Sequence, residues 1–141
     1  MRTFHRRNLP HLYYDDGQYF ITYRLINSIP KSAIDKLKHE FSSNKRLTSI
    51  QQKRLFAKYD LLLDSNELGN NYLTNTAISN IVKATLHYPD NKEYRLICYS
   101  IMPNHVHLVF ELFKGNKGIS KIMQSIKRIS ARRANIILNR S

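Results

Sequence analysis

Tryptophan is absent from this chain, cysteine occurs once, and glycine and proline occur only four times each in 141 residues. A single thiol, Cys98, excludes an internal disulfide and a thiolate zinc cluster. Its apolar neighbours predict a packed core thiol rather than a nucleophile. There is no internal repeat, low-complexity segment or Gly/Ser linker, so the expectation is one domain spanning 1–141. No apolar run approaches the roughly 20 residues that cross a bilayer. The opening MRTFHRRNLP lacks the apolar stretch of a signal peptide. A cytoplasmic protein without a membrane partner is therefore expected.

Acidic residues are also scarce. Asp and Glu number 10 against 23 Lys and Arg, a formal net charge of +13. The excess is uneven. From Lys114 to Ser141 there are eight basic residues and no acidic one, and the first eleven residues carry Arg2, Arg6 and Arg7 with no acid. Two acid-free basic ends on a small domain point to a polyanion partner. No stretch carries the dominant amphipathic pattern of a membrane-lying helix, so nucleic acid fits better than a lipid surface. Hydrophobic content of 42% supports a folded core.

Periodicity divides the chain into seven elements. After the turn signal DDGQ, the run YFITYRLIN (19–27) reads as a strand, with Phe20, Thr22, Arg24 and Ile26 on one face and Tyr19, Ile21, Tyr23 and Leu25 on the other. Pro30 opens a helix with Ile34, Leu37 and Phe41 at helical spacing. A second helix starts at a Thr48 or Ser49 cap, and a third at Thr74 or Asn75 with Ile78, Ile81, Val82 and Leu86 on one face. YRLICYSIM and HVHLVFEL then form a hairpin about Pro103-Asn104. A basic helix closes the chain, with Ile119, Ile122, Met123 and Ile126 facing inward. The order β-α-α-α-β-β-α predicts an α+β fold: a ferredoxin-like or RRM-like antiparallel sheet with helices packed on one face. Such a sheet takes a fourth strand after the last helix, which this sequence does not reach.

The stretch IMPNHVHLVF carries the chemistry. Strand side chains alternate, so His105 and His107 share a face while Val106 takes the other. Two imidazoles about 7 Å apart at the backbone can lean onto one ion. Burying both without a shared purpose is costly. On residue chemistry alone two readings stand: a metal or catalytic pair, or two hydrogen-bonded core histidines. Glu111 has the same parity but lies about 13 Å along the strand from His107, which suits a solvated strand-end carboxylate. Asp60, Asp64 and Asp90 have no place fixed by sequence.

With its flanks, MPNHVHLVF resembles the HUH motif (His, bulky hydrophobic, His) of single-tyrosine transposases, in the REP-associated, insertion-sequence-200-like branch. RRNLPHLYYDDGQYFITYRLINSIP resembles the N-terminal segment of that branch, and ISKIMQSIKRISARRANIILNRS its basic helix. The resemblance implies a DNA transposase that cuts and rejoins single-stranded or hairpin DNA through a 5′-phosphotyrosine link. It implies His105 and His107 as ligands of a divalent ion, Mg²⁺ or Mn²⁺, on the scissile phosphate. The nucleophile of the branch comes from a later helix that is not in this sequence. No tyrosine follows His107, and Tyr99 is the one stand-in considered, otherwise a cross-strand packing partner. The expectation is a C-terminally truncated transposase that lacks its nucleophile. By the same comparison Arg6 and Arg7 resemble a DNA-gripping arm. Lys121, Lys127, Arg128, Arg132 and Arg133 offer phosphate contacts on the last helix. An exposed sheet edge suggests a homodimer. The competing reading is a non-catalytic basic module that holds nucleic acid.

Overall fold

The computed structural model describes residues 3–7, 9–13, 16–42, 47–65 and 70–140, without the side chains of residues 3–13. Along the chain run β1 (Thr3–Arg7), β2 (Leu9–Tyr13), β3 (Gln18–Arg24), α1 (Lys31–Glu40) and α2 (Ser49–Asp64). A 3-10 turn (Tyr72–Thr74), α3 (Thr76–His87), β4 (Tyr94–Ile101), β5 (His105–Leu112) and α4 (Ile119–Ile137) follow. The expected β-α-α-α-β-β-α order is present from β3 onward. The short antiparallel pair β1–β2 precedes it as a separate two-stranded sheet; the proline inside LPHLY hid that strand from a periodicity reading.

Two helices begin where capping chemistry predicts. Thr48 and Gln51 form a reciprocal box: Gln51 N–H donates to Thr48 Oγ1 at 3.2 Å, and Thr48 N–H donates to Gln51 Oε1 at 2.9 Å. Asn75 Oδ1 accepts from the N–H groups of Ala77 and Ile78 at the start of α3.

The main sheet is antiparallel with the order β3-β5-β4. With the hairpin strand β5 in the middle, it matches the first three strands of a ferredoxin-like sheet. Alternation along β5 sorts its residues. Val106, Leu108, Phe110 and Leu112 are all 2% exposed or less. They face α3 and α4, which contribute Ile78, Val82 and Leu86, and Ile122, Met123 and Ile126. Tyr94 stacks on Phe110 with ring centroids 4.8 Å apart, and its hydroxyl donates to Leu86 O, so this buried phenol is satisfied. Full burial of each large apolar side chain contributes about 1.5–3 kcal/mol.

The helices α3 and α4 cover one face of the sheet, as expected. At one end of the opposite face stands α2. Phe56 meets Phe20 edge-on at 5.7 Å, and Asn104 Nδ2 donates to Leu63 O at 3.0 Å. Among the described residues the rest of that face is open. Cys98 lies there, exposed, which corrects the expectation of a packed core thiol. The cause is a register shift between Leu96 and Cys98: it inserts Ile97 as an extra residue and sets Cys98 opposite Val109.

Candidate metal centre

The turn Met102-Pro103-Asn104-His105 closes with Met102 N–H donating to His105 O at 2.8 Å. It starts β5 at the first histidine, so His105 and His107 both project onto the open face. There the register places Arg24 beside His105 and Thr22 beside His107 on one flank, with Ser100 beside His107 on the other. The two rings lean together nearly perpendicular, centroids 4.8 Å apart, and their Nε2 atoms stand 3.1 Å from each other. His105 is 1% exposed.

Each ring is oriented from behind. His105 Nδ1 lies 2.6 Å from Asn104 Oδ1. The amide of Asn104 donates its Nδ2 hydrogens to Leu63 O, so Oδ1 faces His105 as an acceptor and Nδ1 carries the proton. His105 Nε2 is thereby left as an acceptor, 3.1 Å from His107 Nε2. His107 Nδ1 lies 2.8 Å from Thr22 Oγ1. A hydroxyl both donates and accepts, so Thr22 supports either tautomer of His107. In the ion-free pair His107 Nε2–H donates to His105 Nε2 while Thr22 donates to Nδ1. Were His107 Nε2 to hold a cation, the proton would sit on Nδ1 and Thr22 could accept it. Burial first, and then the neighbouring His107, hold the pKa of His105 below the ordinary imidazole value, while Asp64 and Asp60 pull it upward. A neutral imidazole is the form that binds metal.

The spacing fits a shared ion. Two nitrogens about 2.1 Å from one centre are separated by roughly 3.0 Å at a right angle and roughly 3.4 Å at the tetrahedral angle. Among the described residues no group of three or more His, Cys, Asp or Glu forms a ready cage. Asp64 Oδ1 lies 3.6 Å from His105 Nε2.

The remaining expected residues are dispersed. Ser100, not Tyr99, is the cross-strand neighbour of His107. Tyr99 pairs with Leu108 on the helix side, and its hydroxyl meets His87 Nε2 at 3.2 Å. This position fits a packing partner and takes Tyr99 away from the histidines. Tyr23 and Tyr94 also face the helix side, where burial pushes both phenols well above the ordinary tyrosine range. Lys121, Lys127, Arg128, Arg132 and Arg133 are exposed on α4, across the sheet from the histidines. Lys127 Nζ lies over the Tyr23 ring at 5.7 Å, and partial burial lowers its pKa. Arg6 and Arg7 stand in β1 opposite Pro10 and Leu9; their side chains lie outside the described residues. Glu111 pairs with Arg95 at the far end of the open face.

Sequence reasoning missed the supporting residues Asn104, Thr22 and Phe20. Phe20 is 53% exposed and stacks on His107 with centroids 5.5 Å apart. Strand parity put Thr22, Phe20 and Arg24 on one face, but the pairing of β3 with β5, which brings that face to the histidines, carries no local signal.

A family model described as "Transposase IS200 like" matches residues 68–139, just over half the chain, including α3, both hairpin strands and α4. No curated protein and no solved structure matches the chain. With the histidine-bearing hairpin and the basic helix both inside the matched span, the chain belongs to the IS200-like transposase family.

Proposed function

We propose that His105 and His107 hold a divalent cation against a phosphate of single-stranded or hairpin DNA, in strand cutting and rejoining of the HUH single-tyrosine type. The observation that carries this reading is the convergence of two Nε2 atoms at 3.1 Å, each ring fixed from behind by a separate side chain. A bound cation supplies charge that polarises the phosphoryl oxygens. Imidazole donors suit Mn²⁺ better than Mg²⁺. Asn104 holds His105 in the tautomer that presents Nε2, and Thr22 orients the His107 ring and can accept its Nδ1 proton when Nε2 is the ligand. Arg24, in register beside His105, adds positive charge for the phosphate. Phe20, exposed and parallel to the His107 ring, offers a stacking surface for a neighbouring base.

None of this chain's tyrosines is assigned as nucleophile. Tyr23, Tyr94 and Tyr99 lie on the helix side of the sheet, and that placement favours a second reading, a module that binds DNA without cutting it. The basic residues of α4, together with Arg6 and Arg7, serve phosphates outside the site in either case. The edge strands β3 and β4 invite pairing with a second copy, so a homodimer is the assembly we expect.

The test is incubation of the chain with Mn²⁺ and labelled hairpin oligonucleotides, followed by denaturing gels. A covalent protein–DNA band that disappears in His105→Ala supports cutting. Absence of a band, with Mn²⁺-dependent and salt-sensitive binding retained, supports the binding module. DNA binding indifferent both to Mn²⁺ and to loss of the histidines refutes the cation reading.

A further inference from the structure

The open face carries a feature that the histidine pair does not explain. In a chain of net charge +13 with only 10 acidic residues, the end of α2 brings the Asp64 carboxylate to His105, and Asp60, one helical turn earlier, adds to the negative charge felt there. Asp64 Oδ1 is 3.6 Å from His105 Nε2. One carboxylate oxygen of Asp60 is buried without a hydrogen-bond partner. Both are badly placed by local criteria. Asp64 is the last residue of α2, where the helix macrodipole is negative and a carboxylate costs about 0.3–1 kcal/mol. The last turn of α2 holds no basic residue to offset it. A DNA phosphate approaching His105 and His107 would meet these carboxylates directly, and like charges repel at that range.

We propose that Asp64 is a third ligand of a divalent cation at His105 and His107, with Asp60 adding negative charge behind it. This rests on reading the histidine pair as a cation site. Around an ion with bonds of about 2.1 Å, adjacent nitrogen and oxygen ligands lie roughly 3.0 Å apart. The Asp64 side chain is 56% exposed and sits at a helix end; the three-ligand cage is not preformed among the described residues, and the carboxylate turns onto the ion to complete it.

The anchoring of α2 makes the arrangement specific. Asn104 is 1% exposed and its amide does two things at once: Oδ1 accepts from His105 Nδ1, and Nδ2 donates to Leu63 O. Leu63 is itself 1% exposed. One buried side chain thus sets the tautomer of the first histidine ligand and pins the residue immediately before Asp64. The carboxylate is held over the imidazole by a link spanning 41 positions of sequence. Two imidazoles and one carboxylate with open positions form a donor set for first-row divalent ions, which favours Mn²⁺ over Mg²⁺. The bound cation also turns an otherwise repulsive acidic corner into a phosphate-binding one.

The experiment is calorimetric titration of Mn²⁺ into the full chain, without DNA, for the unmodified protein, Asp64→Asn, Asp60→Asn, His105→Ala/His107→Ala and the distant control Asp35→Asn. Circular dichroism confirms folding of each, and Asp64→Asn preserves side-chain shape. The expected result is a loss of Mn²⁺ affinity of about tenfold or more in Asp64→Asn, a smaller loss in Asp60→Asn and none in Asp35→Asn. Affinity in Asp64→Asn equal to that of the unmodified chain, with binding still abolished in the double histidine variant, overturns the Asp64 assignment and leaves the histidine reading intact. Failure of the unmodified chain to bind Mn²⁺, or binding that survives loss of both histidines, overturns the histidine reading and this inference with it.

Discussion

The two faces of β5 are built from alternate residues of one strand, and they do opposite work. The helix-side face is Val106, Leu108, Phe110 and Leu112, entirely apolar and closed over by α3 and α4. The other face presents His105, His107, Val109 and Glu111 beside Phe20, Thr22 and Arg24 of β3, and among the described residues α2 is the helix that approaches it. The first face supplies stability through area removed from water. The second keeps polar groups at fixed angles, which costs stability unless each is partnered. A strand in the middle of the sheet serves both because neighbours on either side hold its backbone rigid, so the imidazoles inherit the precision of the core.

This contrast is open to attack from both sides. The largest effect is expected on the helix side: Phe110→Ala, at 0% exposure, should lower the free energy of unfolding by about 3–5 kcal/mol, read from urea denaturation. A loss under 1 kcal/mol would mean that this face is not the core. On the open face Thr22→Val should leave unfolding nearly unchanged. It should weaken Mn²⁺ binding about 10- to 100-fold in calorimetry, since it removes the group that orients His107. An equal loss of stability and affinity would erase the division between the faces. On the outer surface of α4, replacing Arg132 and Arg133 together with Ala should weaken binding of every DNA sequence similarly and flatten its salt dependence by up to about two phosphate contacts. A large loss on one sequence alone would contradict a phosphate role.

The smallest effect is one of pH. His105 faces His107, Asp64 and Asp60, with Arg24 beside it in register. Its pKa in the fold lies below the ordinary imidazole value, so the unfolded chain takes up the proton first as pH falls. The stability tied to neutral His105 is therefore present above about pH 6.5 and lost as pH falls through the folded-state value. The melting temperature should drop on acidification from neutrality, and less steeply in His105→Gln. A melting temperature that rises over that range would reverse the sign.

Much of the frame was legible in the chain. The capping pair Thr48 and Gln51, the Asn75 cap and the Pro103-Asn104 turn each announce themselves through local chemistry. The apolar alternation of β5 does the same, and the parity of His105 and His107 follows from it. What sequence did not disclose depends on distant contacts. The hydrogen bond from Asn104 to Leu63 joins residues far apart in sequence, so the approach of Asp64 to His105 has no local signature. The shift at Ile97 puts Cys98 and Tyr99 on faces that plain alternation from Tyr94, at the start of β4, does not give. The proximity of Thr22 to His107 follows from pairing between the first and last strands of the sheet, and only the assembled sheet reveals it.

Crystals of the chain soaked in Mn²⁺ and measured for anomalous scattering would test the central claim most directly. The account predicts one strong peak on the open face, about 2.2 Å from Nε2 of both His105 and His107. A map with no peak there, or with the manganese bound elsewhere and the two imidazoles still hydrogen-bonded to each other, would contradict it.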